Sequence, residues 1–200
     1  NFTNYFLYPN TDNLLVFFEN HDTQRFNHIY NGNFAKYKMA LAIIATVRGI
    51  PQIYYGSEIG MQGNKDKGDG DIRRDFPGGW NGDTNNAFTL AGRTAEQNKF
   101  HEFTKKVFNY RKNNPVLHFG KMKHYLPINN VYVYFRTLNE KSVMVVVNNN
   151  KEAQTLDLTT YNESLAGYRA GQEIVTGSKL EINKSLSVPA QDVLIIELQK

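Results

Sequence analysis

The sequence predicts an α/β segment over residues 1–117 followed by an antiparallel β-sandwich over residues 118–200. Three observations carry this division. The first segment reads strand, helix, strand with short links, the order of a βαβ unit in a parallel sheet. After Leu117 the apolar period switches from helical to two. From there on, short alternating runs recur between polar turns such as Asn139-Glu140-Lys141, the pattern of a sandwich.

Leu14 to Phe18, "LLVFF", is a continuous apolar run, the pattern of a strand buried on both faces. "NFAKYKMALAIIATVRG" then places Phe34, Tyr37, Leu41, Ile44 and Ala45 on one helical stripe. Gly49 is expected to stop that helix, with Arg48 in its last turn. "IPQIYYG" reads as a second buried strand ending at Gly56. Gly60 to Gly92 is too long for a connector, and loops of this length usually carry function or move. A second helix begins at "TAEQ", where Thr94 can cap and Gln97 can reach back. Phe100, Phe103, Val107 and Tyr110 give its apolar stripe, and Asn113-Asn114-Pro115 ends it. "VYVYFRT", "KSVMVVVNN", "QTLDL", "SLSVPA" and "VLIIELQ" are the predicted strands of the sandwich.

Composition narrows the function. With 40% hydrophobic and 21% charged residues the chain reads as globular. Its net charge of +4 comes from scattered lysines and arginines rather than a basic stripe, which argues against a nucleic-acid partner. The absence of cysteine excludes disulfides, iron–sulfur clusters and thiolate zinc sites. The longest apolar region, Met39 to Tyr55, is broken by Arg48 and Pro51, so no membrane span is expected. Two parallel strands cannot close a core, because a parallel sheet needs cover on both faces. The first segment therefore reads as the end of a larger α/β domain. The opening Asn1-Phe2, without an initiator Met, agrees with a piece of a longer protein.

In α/β folds the polar residues just after a strand's C-terminal end face the ligand. Asn20, His21 and Asp22 stand there after the first strand, and Tyr55, Gly56 and Glu58 after the second. The residues alone leave a plainer reading open, in which Asp22 and Thr23 cap the next segment and His21 is buried and satisfied. A metal site on His21, Asp22 and His28 is short of ligands, since His101, His118 and His124 lie far along the chain. Glycoside chemistry suits the residue types better: carboxylates around an oxocarbenium-like transition state, with aromatic and amide groups holding the sugar. Trp80, in the loop "DFPGGW", is placed to stack on a sugar. Asp69, Asp71 and Asp75 share that loop with Arg73 and Arg74, but no Glu follows at the twelfth position of a calcium loop. Glu58 is expected to pair with an arginine or cap a turn rather than catalyse.

"VFFENHDTQRF" resembles the Asn-His-Asp signature after strand seven of the α-amylase family of glycoside hydrolases. "RGIPQIYYGSEIGM" resembles the strand-eight region of that family, and "DGDIRRDFPGGW" its following loop in neopullulanase and cyclomaltodextrinase-like enzymes, notably those of Bacteroides-type starch utilisation. The resemblance implies the last two βα units of a (β/α)8 TIM barrel, followed by the C-terminal β-sandwich. It implies a retaining α-glucan hydrolase acting on starch, pullulan, maltooligosaccharides or cyclodextrins. In it Asp22 is the carboxylate that stabilises the transition state without attacking or protonating. His21 binds hydroxyls of the same sugar, Asn20 supports it, and Arg73 or Arg74 approaches the substrate, with Tyr55 and Trp80 as further binding residues. Arg25 is a further candidate for orienting the loop.

The same resemblance sets limits. A retaining mechanism needs a nucleophile and an acid/base about 5–5.5 Å apart, and the strands that carry them in the family have no counterpart here. The chain alone is expected to be inactive. No cofactor is expected within it, while calcium sites belong to other parts of the parent. The expected partners are an α-glucan oligosaccharide and, for the uncovered barrel strands, a second copy or the remainder of the parent chain. The resemblance points to a periplasmic or extracellular location, with the cytoplasm left open. A different class, a non-catalytic starch-binding or interaction module centred on the sandwich, stays as the alternative.

Overall fold

The computed structural model describes residues 4–200, so the opening Asn1-Phe2 lies outside the described residues. Strand β1 (Leu15–Val16) pairs in parallel with β2 (Ile50–Pro51), Leu15 opposite Ile50. Between them run a one-turn helix α1 (Phe26–Ile29) and α2 (Phe34–Thr46). The Asn33 side chain starts α2 by accepting from the Lys36 N–H at 3.2 Å.

Two expectations are corrected here. "LLVFF" is not buried on both faces: Val16 and Phe18 pack against the core, while Leu15 and Phe17 are 60% and 44% exposed. The chain carries no layer on that side, and the ladder shrinks to two residues per strand. Gly49 does not end α2, which stops at Thr46. Its φ of +104° and a Cβ position 2.5 Å from the Leu14 carbonyl oxygen show another role. Only glycine lets the chain enter β2 this close to β1.

The long loop holds a 3-10 turn (Lys65–Lys67) and a short helix, α3 (Asp69–Ile72), and then α4 (Ala95–Lys112) begins with both bonds of the expected capping box. Phe100, Phe103 and Val107 are buried beneath α4. α4 ends at Lys112 with Asn113 at its cap, at the expected Asn113-Asn114-Pro115, and Pro115, with Asn114 as cap, opens α5 (Pro115–Phe119).

The remaining elements are β3 (Lys121–His124), β4 (Val131–Leu138), β5 (Lys141–Asn148), β6 (Gln154–Asp157), α6 (Asn162–Leu165), β7 (Ala170–Glu173), β8 (Lys179–Glu181), β9 (Ser185–Val188) and β10 (Asp192–Gln199). They form a six-stranded antiparallel sheet in the order β3-β4-β5-β10-β7-β8 and a two-stranded sheet β6-β9. One face of the large sheet (Val133, Phe135, Met144, Val146, Ile196) packs on Leu156, Leu186 and Val188 of the small one. Its other face (Tyr134, Val143, Val145, Ile195) packs on α2 and α4 through Leu41, Ala45, Phe103 and Val107. The helices thus lie between the parallel strands and the sandwich, and the two segments share one core.

Candidate active site

Asn20, His21 and Asp22 form a turn three residues beyond the end of β1. The Asn20 side-chain oxygen accepts from the Asp22 N–H at 2.9 Å, and the Asn20 N–H donates to Thr23 Oγ1 at 2.9 Å. This Asx turn fixes the backbone and leaves the next two side chains outward. His21 and Asp22 are 62% and 63% exposed, so His21 is not a buried imidazole. Asp22 caps no helix: α1 has Arg25 at its cap position and no side-chain cap bond.

The Asp22 carboxylate is held from two sides. His21 Nε2 lies 3.2 Å from Oδ2, and Arg73 Nη2 lies 3.1 Å from Oδ1. Arg73 also donates from Nε to the His21 carbonyl at 3.0 Å and contacts Asp69 at 2.8 Å. Arg74 turns away, donating to the carbonyls of Asp71 and Gln62 at 2.9 and 2.8 Å. Of the two loop arginines, Arg73 is the one at Asp22. Tyr55 joins indirectly, its hydroxyl donating to the Arg74 carbonyl at 2.8 Å. Trp80 is 67% exposed, and its backbone N–H donates to Asp83 at 3.1 Å; its bonds do not reach the Asp22 cluster.

Sequence reasoning passed over Glu19 and Ser57, which are 1% and 0% exposed. Glu19 pairs with the equally buried Arg25 at 3.2 Å and accepts from the Ser57 hydroxyl and the Phe26 N–H. Arg25 in turn donates to the carbonyls of Tyr55 and Ile72 at 2.7 and 2.9 Å and lies 3.9 Å over the Tyr54 ring. Glu19 stands in the sequence only as the first polar residue after an apolar run, which does not distinguish it from the Asn20-His21-Asp22 that follows. A buried charge requires a partner such as Arg25.

The other carboxyls divide by environment. The bond from Lys65, then Arg73, holds Asp69 below the usual carboxylate range. The Asn64 N–H does the same for Asp71. Burial pushes Glu58 up, against the pull of the Glu58 and Gly56 N–H groups and of His101. The carboxyl takes backbone hydrogen bonds within its own turn, from Glu58 and Gly56, as a cap would, while its Oε2 is buried without a hydrogen-bond partner. For calcium, no group of three or more His, Cys, Asp or Glu side chains among the described residues is placed to hold an ion. No step is assigned to a metal here.

Residues 3–144 match the alpha amylase catalytic domain family. The chain belongs to the α-amylase family. Residues 122–197 match the cyclo-malto-dextrinase C-terminal domain. A cyclomaltodextrinase from Thermoanaerobacter pseudethanolicus is 34% identical over 139 residues, covering 69% of this chain and 21% of the relative. A cyclomaltodextrin glucanotransferase from Geobacillus stearothermophilus is 31% identical over 177 residues, covering 84% and 22%. The chain thus spans about a fifth of the length of these relatives.

Among solved structures, an alpha-amylase from Geobacillus thermoleovorans complexed with acarbose superposes with a TM-score of 0.73 at 23% identity, covering 94% of this chain and 39% of that one. AmyP in complex with maltose gives 0.77 at 17% identity, covering 98% and 43%. The fold is therefore that of the last two βα units of an α-amylase-family (β/α)8 barrel with its C-terminal sandwich. In such barrels, residues at strand C-terminal ends line the active face. Asn20, His21 and Asp22 occupy that position.

Proposed function

We propose that the chain is part of a retaining α-glucan hydrolase acting on starch, pullulan, maltooligosaccharides or cyclodextrins. Asp22 is its transition-state-stabilising carboxylate, and His21 and Arg73 bind the sugar beside it. The observation that carries this reading is the exposed Asp22 carboxylate, set at a strand end between an imidazole and a guanidinium. An anion there opposes the positive charge that develops on the sugar ring, and its two neighbours orient it. The solved neighbours with acarbose or maltose bound support an α-glucan ligand.

The bond-breaking pair lies elsewhere in the enzyme. A general acid needs a raised pKa in contact with the substrate. In this chain Glu58, whose carboxyl is raised, has its Oε2 buried from solvent, and Asp69, which shares Arg73 with Asp22, is shifted down. The exposed apolar side chains of β1, the residue after it and β2 (Leu15, Phe17, Ile50) form the surface on which the remainder of the parent, or a second copy, packs.

Two assays test this. The purified 200-residue chain releases no reducing sugar from maltooligosaccharides, and measurable release sinks the claim of inactivity. In the full-length enzyme, Asp22→Asn lowers kcat about 100–1,000-fold with a small change in KM. A variant within tenfold of the unmodified kcat removes Asp22 from the role assigned to it.

A further inference from the structure

We infer that Glu19, acting through Arg25 and Ser57, is the positioning residue of this site: one buried carboxylate ties together the three backbone segments that place Asp22, Tyr55 and Arg73. The inference rests on the assignment of Asp22 given above. It concerns residues buried beneath the exposed Asp22 cluster.

The connections are explicit. Glu19 immediately precedes the Asn20-His21-Asp22 turn and accepts from the Phe26 N–H, which fixes the start of α1 against the end of β1. Through the Ser57 hydroxyl it holds the turn after β2. Through Arg25 it reaches the carbonyl of Tyr55 and the carbonyl of Ile72, the residue before Arg73. Arg73 then closes the circuit on Asp22 at 3.1 Å. The visible site is exposed and its ion pairs are individually weak, since solvent screens them. Its geometry must therefore come from beneath, and the Glu19–Arg25 pair is the buried element shared by all three segments. Gly63 keeps the space open, because a Cβ there would fall 3.1 Å from Arg25 Cγ and 2.4 Å from the Asp71 carbonyl oxygen.

A purely structural ion pair and a positioning pair differ in one respect. Replacing both partners by uncharged residues leaves no unpaired buried charge, and such replacements are often neutral for stability. If the pair only stabilises, its double replacement restores everything. If it positions, the fold returns and the geometry does not.

The test uses the full-length protein with Glu19→Gln, with the double substitution Glu19→Gln/Arg25→Met, and with Ser57→Ala. Melting temperature is read beside hydrogen exchange at the amides of Asp22, Thr23 and Arg73. The single Glu19→Gln lowers the melting temperature, and the double substitution recovers most of the loss. In the double variant those amides exchange about tenfold faster than in the unmodified protein, and kcat/KM on maltooligosaccharides is about 100-fold lower, as expected for displaced groups. Ser57→Ala leaves both charges in place and accelerates the same amides about threefold, an expectation that holds even if the double variant folds poorly. Unchanged exchange at these amides in a variant of recovered stability, or in Ser57→Ala, overturns the inference. Should the unmodified protein hydrolyse no α-glucan, the proposed function fails, while the exchange rates still decide the role of Glu19.

Discussion

Two buried arginine nodes lie at opposite ends of β1 and β2, and they solve the same problem differently. At the C-terminal ends, Arg25 is neutralised by the Glu19 carboxylate. At the other end, Arg111 donates to the carbonyls of Ala45 and Gly49 at 2.8 and 2.9 Å, and Arg136 of β4 to those of Thr46 and Gly120 at 2.8 to 3.1 Å. These carbonyls include the unpaired last turn of α2, whose dipole favours a cation. Burial lowers the pKa of both guanidiniums, that of Arg136 to about 10, with Arg111 adding to it by like charge. The difference teaches where charge pairing is reserved. The joint between helices and sandwich is held by cations on neutral dipoles, whereas the node under the candidate active site carries an ion pair that reaches three loops.

The contrast predicts unequal costs. Arg25→Met leaves Glu19 buried and unpaired and lowers unfolding stability by about 3–5 kcal/mol. Arg136→Met orphans neutral carbonyls only and costs about 1–3 kcal/mol. Denaturant unfolding of the two variants side by side measures the gap, and an Arg136→Met loss equal to or above that of Arg25→Met breaks the comparison.

The active-site node was the less legible of the two regions, and the reason is physical. The exposed turn at Asn20, His21 and Asp22 was legible as a turn because the apolar run stops in front of a polar triplet. The α4 capping box was readable because it is local. Glu19 was hidden because its partners lie 6 and 38 residues away and no local pattern announces them. β3, β7 and β8 ("KMKH", "AGQE", "KLE") carry no strong apolar alternation; β3 and β7 are strands because β4 and β10 offer edges to pair with, and β8 because β7 does. The lengths of β1 and β2 depend on neighbours that the chain does not carry. The choice of Arg73 over Arg74 depended on the path of the loop, since both lie in the same run of charges.

Each node also has a titrating neighbour. Tyr134 lies two residues before Arg136 on β4, fully buried, its hydroxyl bonded to Thr46. Burial raises its pKa above the ordinary 10.0. A group raised in the folded state keeps its full contribution below its unfolded pKa and loses it as pH climbs toward the folded value. Stability therefore falls as pH rises above 10.0. Tyr134→Phe costs about 1 kcal/mol at neutral pH through the lost hydrogen bond, and it makes the decline above pH 10 shallower. Unfolding curves at several alkaline pH values give both slopes, and parallel slopes assign the alkaline loss to other groups.

The smallest effect belongs to the active-site node, where Glu58 follows Ser57. Burial raises its carboxyl above the ordinary 4.5, although His101 on α4, Arg25 and two backbone N–H groups pull the other way. By the same sign, the folded protein is favoured while Glu58 is protonated in both states, and it loses that advantage as pH rises from 4.5 through the folded pKa. At neutral pH the ionised carboxyl is thus a standing cost beside a pair that already neutralises itself. Glu58→Gln keeps the shape, removes the charge and stabilises by about 0.5–1 kcal/mol at neutral pH. The gain shrinks as pH falls toward 4.5, where the unmodified carboxyl is protonated too. A loss of stability on Glu58→Gln at neutral pH means that the Glu19–Arg25 pair is not closed on itself. The third carboxylate would then belong to the same buried charge network, as a partner that Arg25 requires.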